Sequence, residues 1–589
     1  MCPESPTESE RGDSEARSDA LEGVIARDGY RVRAVSDEAV EFGRRLGKTT
    51  AFAHILWSRG IQTPEAARDY LEARLTGLSD PAAMAGREAA AERLARATRS
   101  GERVVVFGDY DVDGTTSAAI LADVLEELGA EVHTDVASRF AGGYGLSEQA
   151  LDRCLALRPG LLVTCDCGSS DHERLERARA AGVDVVVVDH HLVPERELPV
   201  LAFLNPHRPD CGYEYLGLAS AGLALSLAAA LRKQLGVKLD VRRWLDLVAL
   251  GTIADVAPLD GDNRRLVRAG LARLGAVDVR PGVAALREVS RVRSGRALSA
   301  RDVGFRLGPR LNAAGRLGDP SITLALLRAR GEVEARGLAA QIQTLNEERR
   351  QLSDTVTREA EAQARDIYGA TPATGIIVAS EGWHPGVIGI TAARLVDAFG
   401  VPAVVVALDG AQGAGSARSP EGFDIHVALS LCSSLLLRFG GHRAAAGLSI
   451  DSSRVEAFRA TFSDVSAFRL PHAGVPLMDA EIDGSAGSLP TVAELESLEP
   501  LGQGNPAPRF ALPGAKVCER RVVGEHHLKL TLDVGGARVG AFGPNMAGLL
   551  GSLPDVPVPF GQLMPDSYRG GEALELSIEG FAALPVDLV

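Results

Sequence analysis

The chain has 589 residues, is 46% hydrophobic and carries a net charge of −15. Such a length holds about three or four domains, and the acidic balance excludes a surface drawn as a whole to nucleic acid, so any nucleic-acid site must be a local basic groove. Seven scattered cysteines form no even framework, and with no secretory signal and no long uncharged apolar run the chain is expected to be cytosolic, reduced and free of membrane segments.

Residues 1 to about 20 are polar, and a disordered tail is expected over 1–37. Residues 38–100 read as short helices with Trp57, Leu71 and Leu75 in the core. Arg103 to Phe107 (RVVVF) is a short β-branched run, which predicts a buried strand. It leads into Gly108–Gly114 (GDYDVDG), and helical spacing follows from Thr115 to Leu128. Asp109, Asp111 and Asp113 thus fall in a turn at the C-terminal end of a strand, where open α/β sheets bind their ligands. Alternating carboxylates on a tight turn can converge several oxygens on one hard cation. An EF-hand loop also begins D-x-D-x-D-G, but it needs Glu at its twelfth position; here that residue is Ile120.

The arrangement recurs. Gly160–Cys165 is an apolar strand ending at Asp166, and Gly182–Val188 ends at Asp189-His190-His191. Helical stretches, Ser147–Leu157 and Asp171–Ala181, lie between, which implies a parallel sheet with right-handed crossovers. Trp244–Ile253 is a further apolar run, read with the strands and ending near Asp255. The C-terminal ends of parallel strands share one edge, so these residues can meet. An Asp-rich set with one or two His suits Mn²⁺ or Mg²⁺ better than structural Zn²⁺. Taken singly, each residue has a plainer role: Asp166 or Asp255 as a helix cap, His190-His191 as a surface pair, Cys165 and Cys167 as strand-end packing. Recurrence at one structural position argues for the shared site.

Asp189-His190-His191, GDYDVDG and the Asp166-Cys167-Gly168 turn resemble the DHH phosphoesterase superfamily. GPRLNAAGR (Gly308–Arg316), GWHPGVIGI (Gly382–Ile390), GSARSPEGFDI (Gly415–Ile425) and FGGHRAAAG (Phe439–Gly447) narrow the resemblance to the RecJ family of single-strand-specific 5′→3′ DNA exonucleases, over about residues 40–545. The resemblance implies two Mn²⁺ or Mg²⁺ ions. Asp109 and Asp111 would hold one, Asp113, His190 and Asp255 the other, with Asp166 bridging. Asp189 and His191 would be orienting or phosphate-facing partners, completing a catalytic set of Asp111, Asp113, Asp166, Asp189, His190, His191 and Asp255. Some relatives carry a His ligand where this chain has Phe107.

Arg310, Asn312 and Arg316 are read in a Gly-rich turn, where arginine can clamp phosphate oxygens; a helix-terminal salt bridge is the plainer alternative. Arg139 resembles a family arginine near the 5′ phosphate. Residues 331–368 predict a long charged helix with irregular heptads, a spacer rather than a dimerising coil. The lobe beyond it resembles a DHHA1 domain. There a Gly-rich turn offers Ser416, Arg418 and His442 to the strand or its 5′ end, while Trp383 is read as core. Short alternating runs from about 475 onward suggest a small β-barrel, by resemblance an OB-fold.

The expected fold is α/β: a parallel-sheet DHH catalytic domain with an N-terminal helical segment (38–330), a connecting helix (331–370), an α/β DHHA1 domain (371–465) and an OB-like barrel (470–589). The function the resemblance implies is two-metal hydrolysis of single-stranded DNA to 5′-mononucleotides in recombination and repair. A monomer is expected, with single-stranded DNA as substrate and a single-strand-binding protein and a helicase open as partners. The alternatives are a phosphodiesterase for short RNA or cyclic dinucleotides, which the chain's length argues against, and a silent replication scaffold, which the full carboxylate set argues against.

Overall fold

The computed structural model describes residues 24–467, 475–485, 487–566 and 571–582. These form two compact units: residues 79–257 with 269–467, and residues 24–78 and 258–268 with the described part of 475–582.

The first unit is built on a five-stranded parallel sheet. Its elements run β1 (Arg103–Gly108), α1 (Val112–Glu127), β2 (Glu131–Val136), α2 (Glu148–Ala156), β3 (Leu161–Cys165), α3 (His172–Ala180), β4 (Asp184–Val188) and β5 (Ala202–Leu204). The strand order is β2-β1-β3-β4-β5, with every pairing parallel. Val104–Phe107 and all of β3 are buried, because helices cover both faces of such a sheet. Phe107, the departure from the His of some relatives, is a fully buried core side chain.

Two more helices complete the catalytic layer: α4 (Ser220–Leu235) and α5 (Leu245–Ala254). The second corrects a strand expectation for the apolar run ending near Asp255. Every residue from Leu245 to Ile253 is buried. A segment apolar on all sides shows neither period, so pattern alone does not separate helix from strand there. The expected turn bearing Arg310, Asn312 and Arg316 is likewise a helix, α6 (Gly308–Leu317), with proline in its first turn. Gly315 serves close packing rather than turning, since a Cβ there would stand 2.8 Å from the Tyr110 carbonyl oxygen.

The connecting helix α7 spans Glu332–Tyr368. The mixed sheet beyond it comprises β6 (Ile376–Glu381), β7 (Ala403–Asp409), β8 (Gln412–Arg418), β9 (Leu436–Gly441) and β10 (Ala445–Asp451), in the order β9-β10-β8-β7-β6. Helix α8 (Ile388–Phe399) joins the parallel pair β6 and β7. The turn expected around GSARS is instead strand β8, paired on both sides. Ser416 and Arg418 therefore share one face by two-residue alternation. Trp383 is core, as expected, and its Nε1 donates to Glu359 Oε2 at 2.8 Å.

The second unit corrects two boundaries. Residues 24–37 were expected in a disordered tail, yet Val24–Arg27 and Tyr30–Arg33 form a hairpin, and Leu477–Met478 pairs with its second strand. Tyr30 and Val32 point inward, and the Tyr30 hydroxyl donates to Glu481 at 2.6 Å. That partner is remote in sequence, so four-residue strands gave little local signal. Residues 1–23 lie outside the described residues. The helices over 37–72 were expected with the catalytic domain, but they belong to the barrel's unit. Phe42, Phe52, Ile55 and Leu56 share one buried core with Leu528, Leu530, Leu532 and Leu576. The barrel strands form a seven-stranded sheet, and His527–Val534 alternates half-buried and buried residues along its length. Among the described residues no helix is long and apolar enough to cross a membrane.

Candidate active site

The carboxylates gather where the strands end. Asp109 follows β1, and its backbone N–H donates to the Cys165 carbonyl at the end of β3. Asp111 caps α1, with Oδ1 accepting from Gly114 N–H at 3.0 Å. Asp113 lies in the first turn of α1, and the N-terminus of α4 closes on it. Ser220 and Ala221 N–H donate to its two oxygens at 2.7 and 3.0 Å. The Ser220 hydroxyl donates to Asp166 Oδ1 at 3.0 Å, so one residue holds two of the acids. Asp166 follows β3 with φ +62, a left-handed backbone that costs a non-glycine residue about 1–2 kcal/mol. It is not the cap of α3; that position is Asp171.

Three sets of groups have atoms within 4.8 Å of one another: Asp109–Asp111–Asp166, Asp113–His190–Asp255 and Asp166–His190–His191. Asp166 stands between the others, with His190 Nε2 3.3 Å from Asp166 Oδ1 and 3.6 Å from Asp255 Oδ2. His191 Nδ1 lies 2.7 Å from Asp189 Oδ1, and Asp189 also accepts from Ser169 N–H at 3.0 Å. The Tyr144 hydroxyl donates to the Asp166 carbonyl at 3.0 Å and stands 3.0 Å from His191 Nδ1. Cys165 and Cys167 are fully buried packing groups, and Cys167 belongs to the sheet core.

Burial and mutual repulsion dominate the electrostatics. Burial, then the charge of Asp111, pushes Asp113 up to about 7. Burial, with Asp113 and Asp111, takes Asp255 to about 8. Asp109 and Asp166 rise well above the ordinary range for the same reasons. Burial would raise Asp189 too, but the bonds from His191 and Ser169 outweigh it and hold this carboxyl low. Burial disfavours a charged His191, yet the Asp189 bond raises it to about 9. His190 falls to about 4 through burial and the neighbouring His191 charge. It is therefore neutral near pH 7, the form that ligates metals. Its Nε2 is buried with no hydrogen-bond partner among the described residues. A crowded set of hard oxygens beside an unpartnered imidazole nitrogen fits Mn²⁺ or Mg²⁺.

A second constellation is cationic. The Arg139 guanidinium lies 4.5 Å over the Tyr110 ring, and its Nε is buried without a hydrogen-bond partner among the described residues. Arg316 Nη1 donates to the Gly386 carbonyl at 3.2 Å, just before α8. A Cβ at Gly389, in the first turn of α8, would sit 3.0 Å from Ser416 Oγ and 3.2 Å from Arg418 Nη2. Phe140 packs edge-on against His384. Burial, then the charges of Arg139, Arg349 and Arg418, lowers Arg316 to about 10. Arginines gathered near a helix N-terminus have the chemistry to receive phosphate oxygens.

Of the residues singled out from the sequence, Arg139, Arg316, Ser416 and Arg418 meet here. His442 is exposed in the β9–β10 turn, close enough for its charge to depress His190. Asn312 is half-buried on α6, one turn before Arg316. Arg310 does not join them; it donates to Gln343 Oε1 at 2.7 Å and to the Arg306 carbonyl at 2.6 Å. Arg349, on α7, was not anticipated. Its Nε is buried without a hydrogen-bond partner among the described residues, and its charge reaches Arg316. A charged helical run reads as solvated surface, so only packing could single it out.

Carboxylates and a neutral histidine at the C-terminal edge of a parallel sheet, with an arginine pocket nearby, define the class of DHH-type metal-dependent hydrolases. Residues 103–252 match the DHH family N-terminal domain, 373–467 the DHHA1 domain and 478–580 the RecJ OB domain. The single-stranded-DNA-specific exonuclease RecJ of Dickeya dadantii is 37% identical over 537 residues, covering 86% of this chain and 92% of that protein. The RecJ of Bacillus subtilis is 36% identical over 514 residues, and the chain spans 63% of that relative's length. The crystal structure of Thermus thermophilus RecJ with Mn²⁺ superposes with a TM-score of 0.78 at 33% identity, covering 94% of this chain and 79% of that one. The same protein's Mg²⁺ complex gives 0.73 at 32% identity. The chain belongs to the RecJ family.

Proposed function

We propose that this protein is a single-stranded-DNA-specific 5′→3′ exonuclease that releases 5′-mononucleotides by two-metal phosphodiester hydrolysis. The observation that carries the reading is the position of Asp166, which shares one set with Asp109 and Asp111 and another with His190 and His191. Asp109 and Asp111 would hold one ion, Asp113, His190 and Asp255 the other, and Asp166 both. When bound, such ions polarise the scissile phosphate and make an attacking water more acidic. The protein's own groups prepare this. Ser220 and the N-terminus of α4 fix Asp113 and Asp166, Asp189 orients His191 beside the cluster, and burial keeps His190 neutral. Arg139, Arg316, Ser416 and Arg418, with Arg349 behind them, would grip the 5′ end; Asn312 and His442 would face the strand. The loop of residues 137–147 carries Arg139 at the pocket and Tyr144 at the acids, so a gripped end is presented to the cluster. The same reading takes recombination and repair as the setting. It includes a cytosolic monomer, with a single-strand-binding protein and a helicase delivering the strand.

The test is hydrolysis of end-labelled single-stranded DNA with Mn²⁺, comparing 5′-phosphorylated, 3′-blocked and blunt duplex substrates. Mononucleotides from the 5′ end, absent on duplex and reduced at least about a thousandfold in Asp166→Ala, are expected. Cleavage confined to di- to pentanucleotides would replace this reading with a short-oligonucleotide phosphodiesterase.

A further inference from the structure

The loop over residues 137–147 joins the arginine pocket to the acidic cluster, yet its sequence favours disorder. Gly142, Gly143 and Gly145 all take left-handed φ values, of 104, 86 and 77°, and glycine loses the most backbone freedom on ordering. At the tip, Ala141 and Gly143 N–H both donate to the Ser138 carbonyl, bonds within the loop. The base is held differently. Asp171, 4% exposed, accepts from Leu146 N–H at 3.0 Å through one oxygen and from Arg174 Nη2 at 2.5 Å through the other. Arg174 Nε in turn donates to the Leu146 carbonyl at 3.2 Å. One ion pair therefore grips both backbone groups of Leu146.

The grip connects to both sites. Next to Leu146, Gly145 N–H donates to Asp109 Oδ1 at 3.1 Å, and Tyr144 reaches Asp166 and His191. Asp171 ends the turn that begins at Asp166, and its N–H donates to the Gly168 carbonyl at 3.1 Å. We infer that the Asp171–Arg174 pair is a positioning device, which staples the loop bearing Arg139, Phe140 and Tyr144 to the Asp166 turn and thereby sets affinity for the strand's 5′ end. This inference rests on the exonuclease reading for its substrate, though not for the staple itself. The plainer alternative is an i,i+3 pair in the first turn of α3 that serves helix stability alone.

The experiment uses the full chain with Mn²⁺ and oligonucleotides carrying a 5′ phosphate or a 5′ hydroxyl. Asp171→Ala leaves the buried Leu146 N–H without an acceptor. It is expected to raise KM for the 5′-phosphorylated strand about tenfold, with kcat within about twofold, and to narrow the preference for phosphate over hydroxyl. Asp171→Asn keeps an acceptor and should restore KM to within about twofold of wild type. Arg174→Ala, at a partly exposed site, should shift KM the same way by a smaller factor, and stands in if Asp171→Ala does not fold. Amide exchange over residues 142–146 should accelerate about tenfold in Asp171→Ala. Unchanged exchange there, or equal losses in KM and kcat with the 5′ preference intact, overturns the staple. A wild-type enzyme indifferent to the 5′ phosphate overturns the exonuclease reading instead, and the exchange result alone then decides the staple.

Discussion

Single ionisable groups in this site are governed by how little water reaches them. Asp113 and Asp255 ordinarily titrate at 3.8 and here rise to about 7 and about 8. A raised carboxyl contributes stability that is complete below its unfolded pKa and is lost as pH climbs through the folded value. His191, raised to about 9 by Asp189, acts in the same direction. His190, lowered to about 4, acts the other way up to about pH 6.5, so metal-free protein should lose melting temperature between about pH 6.5 and 9, and the shift on adding Mn²⁺ should grow with pH. Calorimetry in chelator and in Mn²⁺ checks this; a flat or rising metal-free curve across that window would refute it. Arg349 belongs to the same scale. If it meets a phosphate, Arg349→Gln weakens single-strand binding and reduces the slope of log affinity against log salt by about 0.7. An unchanged slope in a fluorescence titration would put this side chain off the strand's path.

At the scale of elements, two helices matter for where they end or touch. The N-terminus of α4 presents Ser220 and Ala221 N–H groups to Asp113, a negative side chain at a positive helix end. Helix α5 packs on the other side through Gly251, where a Cβ would lie 2.5 Å from both Asp113 Oδ1 and Thr116 Oγ1 and 2.9 Å from Ala221 Cβ. Gly251→Ala should therefore displace Asp113 and weaken Mn²⁺ binding about tenfold or more while the circular dichroism spectrum is preserved. Titration calorimetry reads the affinity, and wild-type affinity in this variant would show that Asp113 is not so constrained. Helix α5 ends at Asp255, and Val256 follows with φ +60, an unusual backbone for a β-branched residue, placed directly after a candidate ligand.

On the scale of the whole molecule, segments far apart in the chain, residues 24–78 and the described part of 475–582, fold into one unit. Helices near the start share a core with strands more than 400 residues later, and Phe52 is fully buried within it. Phe52→Ala should cost about 3–5 kcal/mol in that unit alone. A calorimetric scan of the full chain should resolve two transitions and show only one of them lowered. A shift of both together would mean that the units unfold as one.

What the sequence determined by itself was the chemistry and its periodic setting. Short β-branched runs ending in Asp or His, with amphipathic segments between, are local patterns, and they located β1, β3, β4 and α1 to α3 along with the acids that follow them. The long charged run likewise became α7 over Glu332–Tyr368. Tertiary structure decided whatever depended on partners distant in the chain. An evenly apolar run became helix α5 because burial on every side erases the period. GSARS became a strand because neighbours on both sides supplied its hydrogen bonds. Residues 24–33 became ordered because Glu481 and Met478 complete them. Arg349 and the Asp171–Arg174 pair were illegible for the same reason: a charged residue on a helix looks solvated until the fold removes its water and supplies, or withholds, its partner.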